Sequence, residues 1–225
     1  MTAEPVAASA DALPGIRRPV GRPRRHDDDA ERELILGAAY AALRDDGADF
    51  TVASVLGAAG VSTRSFYRQF ETKQALLCSM YRRDAQWAAR RLHARLDLAG
   101  APVDAVVAWI DEIFSFTRVA KRAERVAVLG SLAVGQTGVA EAEAAHARAL
   151  LVAPLRAAID DGIADGSFTT PDAVGDADLV AAAVLHAAGL ALPNRGTTTH
   201  DQPGVTAFAL RALGAADPRP QPTGQ

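Results

Sequence analysis

The segment Phe50–Leu77, with the sequence FTVASVLGAAGVSTRSFYRQFETKQALL, constrains the fold of this chain more than any other. Thr51 is placed to cap a short helix, and Ser62 is placed to cap a second one. Between them, Gly60 can adopt the positive φ that a tight turn at a helix end requires. Two short capped helices joined by a glycine turn predict a helix-turn-helix over about residues 51–70.

The second of these helices has two different faces. Phe66 and Phe70 are four residues apart and share one side, which we expect to pack against Ile35, Ala39 and Val55. The opposite side is polar and carries Arg64, Ser65, Tyr67 and Arg68, with Thr63 at its flank. Arginine donates bidentately to guanine, and hydroxyl groups reach phosphates. Such a face is typical of a helix in the DNA major groove, and the alternative is a solvated face on an ordinary helical hairpin.

Apolar residues recur at helical spacing through most of the chain, and no convincing alternating strand pattern interrupts them. Alanine-rich runs also favour helix. Breaks rich in Gly and Pro separate the predicted helices, which cover 29–46, 52–59, 63–70, 73–98, 103–118, 122–133, 139–165, 173–192 and 204–213. Pro154 predicts a kink or a division in the seventh. We therefore predict an all-α chain of about nine helices.

The two ends of the chain differ in composition from its middle. Residues 1–26 are rich in Ala, Pro, Gly and Arg, which predicts a disordered basic arm that includes Arg22, Arg24 and Arg25. The arm resembles an AT-hook and would suit an A·T-rich minor groove, although a solvated basic tail explains it equally well. The proline-rich tail 217–225 is also expected to be disordered. Between them we predict a DNA-binding domain over 27–77 and a second helical domain over 78–216.

Charge and residue usage exclude several classes of protein. A net charge of −3 argues against a protein that coats nucleic acid without selectivity. The single cysteine, Cys78, excludes an intrachain disulfide and is expected in the core. We find no histidine spacing typical of a metal site and no catalytic motif, so we expect no cofactor, no metal and no enzyme activity. Without a membrane-length apolar run or a signal peptide, we expect a cytoplasmic protein.

The segment 32–77 resembles the TetR family of transcriptional repressors. The residues that carry the resemblance are Ile35, Ala38-Ala39, Thr51-Val52, Ala59-Gly60-Val61-Ser62, Phe66-Tyr67, Phe70, Thr72-Lys73 and Leu76-Leu77. The resemblance implies that Tyr67 and Lys73 contact DNA phosphates and that Thr51 touches the DNA backbone. Two positions depart from the family pattern: Arg64 replaces a frequent glycine, which suggests an unusual base preference, and Leu56 replaces a frequent alanine.

Beyond residue 78 the resemblance implies a ligand-binding and dimerisation domain. The candidate ligand contacts are Trp87, Trp109, Phe114, Arg118, His146 and His186, with Phe116 and Leu129 as further apolar walls. Each of them could instead be an ordinary core or surface residue. The last two helices, over about 173–213, carry apolar stripes wider than one partner needs, which the resemblance implies to be a homodimer interface. The stripe of the first helix consists of Leu179, Val180, Ala183, Val184, Ala187 and Leu190, and that of the second consists of Val205, Phe208, Ala212 and Leu213. The alternative is that they only cap the core of the monomer.

These expectations together indicate a sequence-specific regulator that binds a palindromic operator as a homodimer. The resemblance implies a repressor that a small-molecule effector releases from DNA, with the helix that starts at Lys73 as the connecting lever. Two alternatives stay open from the sequence: a constitutive or architectural DNA-binding regulator without an effector, and an all-helical enzyme.

Overall fold

The computed structural model describes residues 25–118, 138–190 and 201–215. Over these ranges the chain forms helices and no strand, which confirms the all-α prediction. The α-helices are α1 (Arg25–Asp46), α2 (Val52–Ala59), α3 (Thr63–Gln69), α4 (Lys73–Leu96), α5 (Pro102–Arg118), α6 (Gly138–Ala164), α7 (Ala173–Ala187) and α8 (Gln202–Ala212), and a 3-10 turn (Gly47–Asp49) follows α1. None of these helices combines the length and the apolar character needed to cross a membrane. The predicted helix over 122–133 and the tail 217–225 lie outside the described residues.

Helix α1 begins earlier than the sequence pattern predicts, at Arg25. Asp28 and Asp29 lie in its first turns, where acidic side chains interact favourably with the helix dipole, and this explains the earlier start. The predicted arm over 1–26 is therefore wrong at its C-terminal end. Arg22, Arg24 and the rest of that arm lie outside the described residues, as does the side chain of Arg25.

Helix α6 runs through Pro154 as a single helix, so of the two expected outcomes the division into two pieces is excluded and the kink stays a prediction. Val152 and Leu155, on either side of the proline, are both buried in the core. Their packing holds the two halves together although the proline removes one backbone hydrogen bond.

Helix α7 ends at Ala187, short of the predicted end at 192. Gly189 takes a φ of 73°, and the N–H of Leu190 donates to the carbonyl oxygen of Leu185 at 2.8 Å. A glycine in the left-handed region with this backbone bond is a common way to end a helix. The apolar periodicity that predicted a longer helix continues past this glycine, which is why the pattern alone misplaced the end.

The helices enclose two buried clusters. The N-terminal cluster joins α1, α2, α3 and the start of α4; its large members include Ile35, Phe50, Val55, Phe66, Phe70, Leu76 and Met80. The C-terminal cluster joins the second half of α4 to α5, α6, α7 and α8; its large members include Leu92, Trp109, Ile110, Ile113, Leu155, Ile159 and Val184. Cys78 is buried as expected, and burial raises the pKa of its thiol.

Helix α4 spans both clusters and forms ion pairs with both sides of the molecule. Arg82 donates to Glu143 of α6 through two nitrogens, with Nε 2.9 Å from Oε2. The next residue, Arg83, pairs with Glu33 of α1. Hydrogen bonding from Arg82 lowers the pKa of Glu143, so this ion pair persists at neutral pH and is lost only below the usual glutamate range. Neighbouring residues of α4 thus hold the N-terminal and the C-terminal helices.

Candidate nucleic-acid interface

Helix α2 begins with a complete capping box. The Thr51 hydroxyl accepts from the N–H of Ser54 at 3.1 Å, and the Ser54 hydroxyl accepts from the N–H of Thr51 at 3.2 Å. Helix α3 begins similarly, because the Ser62 hydroxyl accepts from the N–H of Ser65 at 3.1 Å. Both predicted caps are confirmed. They satisfy backbone groups at the helix starts that would otherwise lack partners.

Gly60 ends α2 and sets the angle between the two helices. Its φ is 65°, in the left-handed region, and its N–H donates to the carbonyl oxygen of Leu56 at 3.0 Å. A residue with a Cβ atom is strained in this conformation. The turn of the helix-turn-helix therefore depends on this glycine.

We expect substitutions at Gly60 and Gly57 to change stability in opposite directions. Gly60→Ala should lower the free energy of unfolding by about 1–2 kcal/mol, because alanine disfavours positive φ. Gly57 lies inside α2, is exposed and has open space where the Cβ atom of an alanine would lie, so Gly57→Ala should raise stability by about 0.5–1 kcal/mol. Urea unfolding followed by circular dichroism measures both changes. Two changes of the same sign would contradict this account of the turn.

Helix α3 has the two faces that the sequence predicts. Phe66 and Phe70 are buried in the N-terminal cluster together with the predicted partners of α1 and α2, Ile35, Ala39 and Val55. Thr63, Arg64, Tyr67 and Arg68 are exposed, and Ser65 is half-buried. The Tyr67 ring meets the Phe66 ring edge-on, with 5.3 Å between centroids. The aromatic anchor therefore fixes the helix while its polar face stays accessible.

The two arginines of α3 have different surroundings. Nη2 of Arg68 contacts two carboxylates of α1, pairing with Glu31 and lying 3.3 Å from Oδ1 of Asp28. The ion pairs of the described residues leave Arg64 without a carboxylate partner. Sequence analysis missed the contacts of Arg68, because acidic residues at a helix start are already explained by the helix dipole.

Lys73 lies at the start of α4, after the cap provided by Thr72. Its ammonium donates to the carbonyl oxygen of Phe50 and lies 4.2 Å from the centroid of the Phe50 ring. These contacts direct it onto the segment that precedes α2. Its contact with a DNA phosphate stays a prediction.

Arg32 of α1 is a positioning residue that sequence analysis missed. Its guanidinium donates to the carbonyl oxygen of Gln69 and to the hydroxyl of Ser79, both at 3.0 Å. Its central carbon also lies 4.3 Å from the centroid of the Phe70 ring. Arg32 thereby fastens the end of α3 to α1 and α4. Its partners are 37 and 47 residues away in the chain, so no local pattern indicates them.

The candidate ligand residues fall into two groups. Trp109 is fully buried in the C-terminal cluster, where its indole N–H donates to the carbonyl oxygen of Leu151 at 2.9 Å. Trp87 and Phe114 pack against the same cluster, and the Trp87 ring lies 5.8 Å from that of the buried Phe116.

The polar candidates are exposed, unlike these rings. Arg118 is exposed and donates to Gln202, and His146 and His186 are exposed. The structure thus brings the aromatic candidates together and leaves the polar ones at the surface. Leu129 lies outside the described residues. Within the described ranges, no three His, Cys, Asp or Glu side chains come together to hold a metal ion.

Comparison with known proteins identifies the N-terminal helices. Residues 35–80 match the family model described as bacterial regulatory proteins, tetR family. No curated protein sequence matches the chain significantly.

Solved structures share the fold over most of the chain. A TetR transcription regulator from Haloarcula marismortui superposes with a TM-score of 0.65 at 19% identity, covering 83% of this chain and 97% of that one. The FadR regulator of Bacillus subtilis, in complex with stearoyl-CoA, gives 0.63 at 15%, covering 80% and 96%. RolR, in complex with resorcinol, gives 0.61 at 18%, covering 85% and 91%. At these identities the likeness establishes a common fold.

The matched segment contains the capped helix pair, its glycine turn and the aromatic anchor of α3. Over the helices that follow, the chain shares its fold with the three solved regulators. Residues 35–80 thus match the tetR family of bacterial regulatory proteins, and the described helices share the fold of the solved regulators.

Proposed function

We propose that this protein is a homodimeric repressor that binds a palindromic operator and is released by a small-molecule effector. The observation that carries the proposal is the arrangement of α3, whose aromatic side is buried while its polar side faces outward. Because a helix of this kind inserts its exposed side chains into the major groove, α3 is the recognition helix. We further propose that the protein acts by binding alone, without catalysis, in the cytoplasm.

The residues proposed to contact DNA divide by chemistry. Arg64 and Arg68 are proposed to read base edges, since a guanidinium donates bidentately to guanine O6 and N7. The groups proposed to contact the phosphate backbone are Thr51, Thr63, Ser65, Tyr67 and Lys73. Further attraction to the phosphates is proposed to come from Arg22 and Arg24, in the arm before α1, and from Arg25, the first residue of α1. Phosphate contacts position the protein, and base contacts provide the sequence preference.

Helices α7 and α8 are proposed to form the dimer interface. Val180, Val184 and Val205 from their predicted stripes are buried inside the monomer. Leu179 and Phe208 point outward instead and are 69% and 50% exposed. Large apolar side chains exposed on two adjacent helices are typical of a protein–protein contact. A two-fold dimer would also match the symmetry of a palindromic site.

The effector is proposed to carry an apolar or aromatic group. FadR was solved with stearoyl-CoA and RolR with resorcinol, and in this chain Trp87, Phe114 and Phe116 pack in or against the C-terminal cluster. Aromatic side chains are frequent in pockets for such ligands. An effector that binds better to one spacing of the two recognition helices would shift the population away from DNA. Helix α4, paired with both sides of the molecule, would transmit that shift.

Selection from a library of random duplexes, followed by sequencing, tests the function. A palindrome with half-sites about one helical turn apart, about 34–36 Å, is the expected result. Failure to enrich any sequence would overturn the proposal.

Both tryptophans of the chain lie in or against the C-terminal cluster, so their fluorescence reports ligand binding there. Stearoyl-CoA and resorcinol serve as first probes, and full operator affinity with every probe in a wider screen would favour a regulator without an effector.

Arg64→Ala should relax the base preference at one position of each half-site. The loss of one bidentate guanine contact should weaken binding to the selected duplex by about 1–3 kcal/mol, with less effect on duplexes already mismatched there. Fluorescence anisotropy on matched and mismatched duplexes measures both values. An equal loss on all duplexes would instead assign Arg64 to a phosphate.

A further inference from the structure

Arg68 is held in place by carboxylates of another helix. Its Nη2 nitrogen pairs with Glu31 and approaches Asp28, both from the start of α1. Among the described residues, its Nη1 and Nε nitrogens make no hydrogen bond. The guanidinium side chain is 50% exposed. The side chain therefore keeps the N–H donors of Nη1 and Nε free at the surface, while the carboxylates fix Nη2.

Other contacts besides the ion pair hold α3 against α1. Arg32 already joins α1 to the carbonyl oxygen of Gln69, and the Gln69 side chain donates to the carbonyl oxygen of Asp28 at 3.1 Å. Phe66 and Phe70 add buried contacts between the same helices. A half-exposed ion pair adds little to stability beyond these. What it changes is the freedom of the Arg68 side chain.

We propose that Glu31 is a specificity-determining positioning residue, which fixes the Arg68 guanidinium so that its free edge meets a base. An arginine must lose rotamer freedom before it can donate bidentately, and a carboxylate that holds one corner removes part of that loss beforehand. The inference rests on the proposed DNA-binding function and extends it to α1. Asp28, the second carboxylate, supports the same nitrogen from a longer distance.

The proposal predicts opposite effects of Glu31→Gln on two kinds of duplex. Removing a negative charge near DNA should by itself strengthen binding to any sequence, since repulsion from the phosphates decreases. Loss of the positioning contact should weaken binding only where Arg68 meets its base. We therefore expect affinity for the selected duplex to fall roughly two- to tenfold, while affinity for a scrambled duplex is unchanged or rises.

Glu33→Gln is the matched control. Glu33 lies two residues further along α1, and its partner is Arg83 of α4. Its substitution by glutamine changes the net charge by the same amount as Glu31→Gln. Both variants are measured by anisotropy on the selected and the scrambled duplex, with thermal melting as a check of folding. Arg68→Lys keeps the charge and removes the planar fork, so it should reproduce the loss on the selected duplex.

A double variant closes the test. In an Arg68→Gln background, Glu31→Gln should no longer reduce the ratio of selected to scrambled affinity. The inference is overturned if Glu31→Gln and Glu33→Gln shift both duplexes equally, or if the loss persists without Arg68. A wild-type protein that enriches no duplex would instead refute the DNA-binding function itself, so the two failures are distinguishable.

Discussion

Phe208→Glu should convert the proposed dimer to a monomer and reduce its affinity for a palindromic duplex by about 10²–10⁴-fold. Phe208 is half-exposed on α8, which packs against α7, and a buried charge in an apolar interface lacks a partner. A monomer binds one half-site at a time and loses the effective concentration that a joined second half provides. Size-exclusion chromatography with light scattering measures the oligomeric state, and anisotropy measures the affinity.

Leu98→Glu is the matched control for this prediction. Leu98 is 79% exposed and lies in the turn between α4 and α5, outside both proposed interface helices. The Leu98→Glu variant places the same charge on an exposed apolar position, so the proposed dimer and its affinity for the palindromic duplex should be unchanged. If Leu98→Glu dissociated the dimer and Phe208→Glu did not, the interface would lie elsewhere.

Trp109→Ala should lower the free energy of unfolding by about 3–5 kcal/mol. Trp109 is the largest fully buried side chain of the described residues and lies where α5 meets α6. Its removal leaves a cavity that the surrounding helices close only in part. Urea unfolding followed by circular dichroism is the suitable measurement, because the substitution also removes a fluorophore.

Two further variants separate the causes of that loss. Trp109→Phe keeps most of the ring volume and removes the hydrogen bond to the Leu151 carbonyl, which should account for about 0.5–1.5 kcal/mol. Trp87→Ala removes the same side chain from a half-buried position, and the expected loss is about 1–2 kcal/mol. Equal losses at Trp87 and Trp109 would contradict the description of the core.

The helix-turn-helix was predictable because its determinants are local. The caps Thr51 and Ser62 act on backbone groups within three residues, and Gly60 acts through its own φ. The apolar spacing of Phe66 and Phe70 likewise identified the buried face of α3. Each of these signals can be read without knowing what lies nearby in space.

The remaining features depend on partners that are distant in the chain. The pairing of Arg68 with Glu31 joins residues 37 positions apart, and no spacing rule connects them. The stripe predicted on α7 was also divided by the fold, since Val180 packs inward and Leu179 outward. Periodicity shows that a helix has an apolar side, but only the packed neighbours decide how much of it stays exposed.

The adjacent arginines of α4 also limit where the N-terminal and C-terminal helices of this protein can be joined to those of another protein. Arg82 pairs with Glu143 of α6, and Arg83 pairs with Glu33 of α1. The arginine nearer the N-terminus of α4 therefore binds a C-terminal helix, and the arginine nearer its C-terminus binds an N-terminal helix. In a hybrid of two proteins, a junction before Arg82 separates Arg83 from Glu33, and a junction after Arg83 separates Arg82 from Glu143. A junction between the two arginines separates both pairs. Exchanging the C-terminal helices of this chain for those of another protein therefore separates at least one of these ion pairs, which must then be supplied with a new carboxylate.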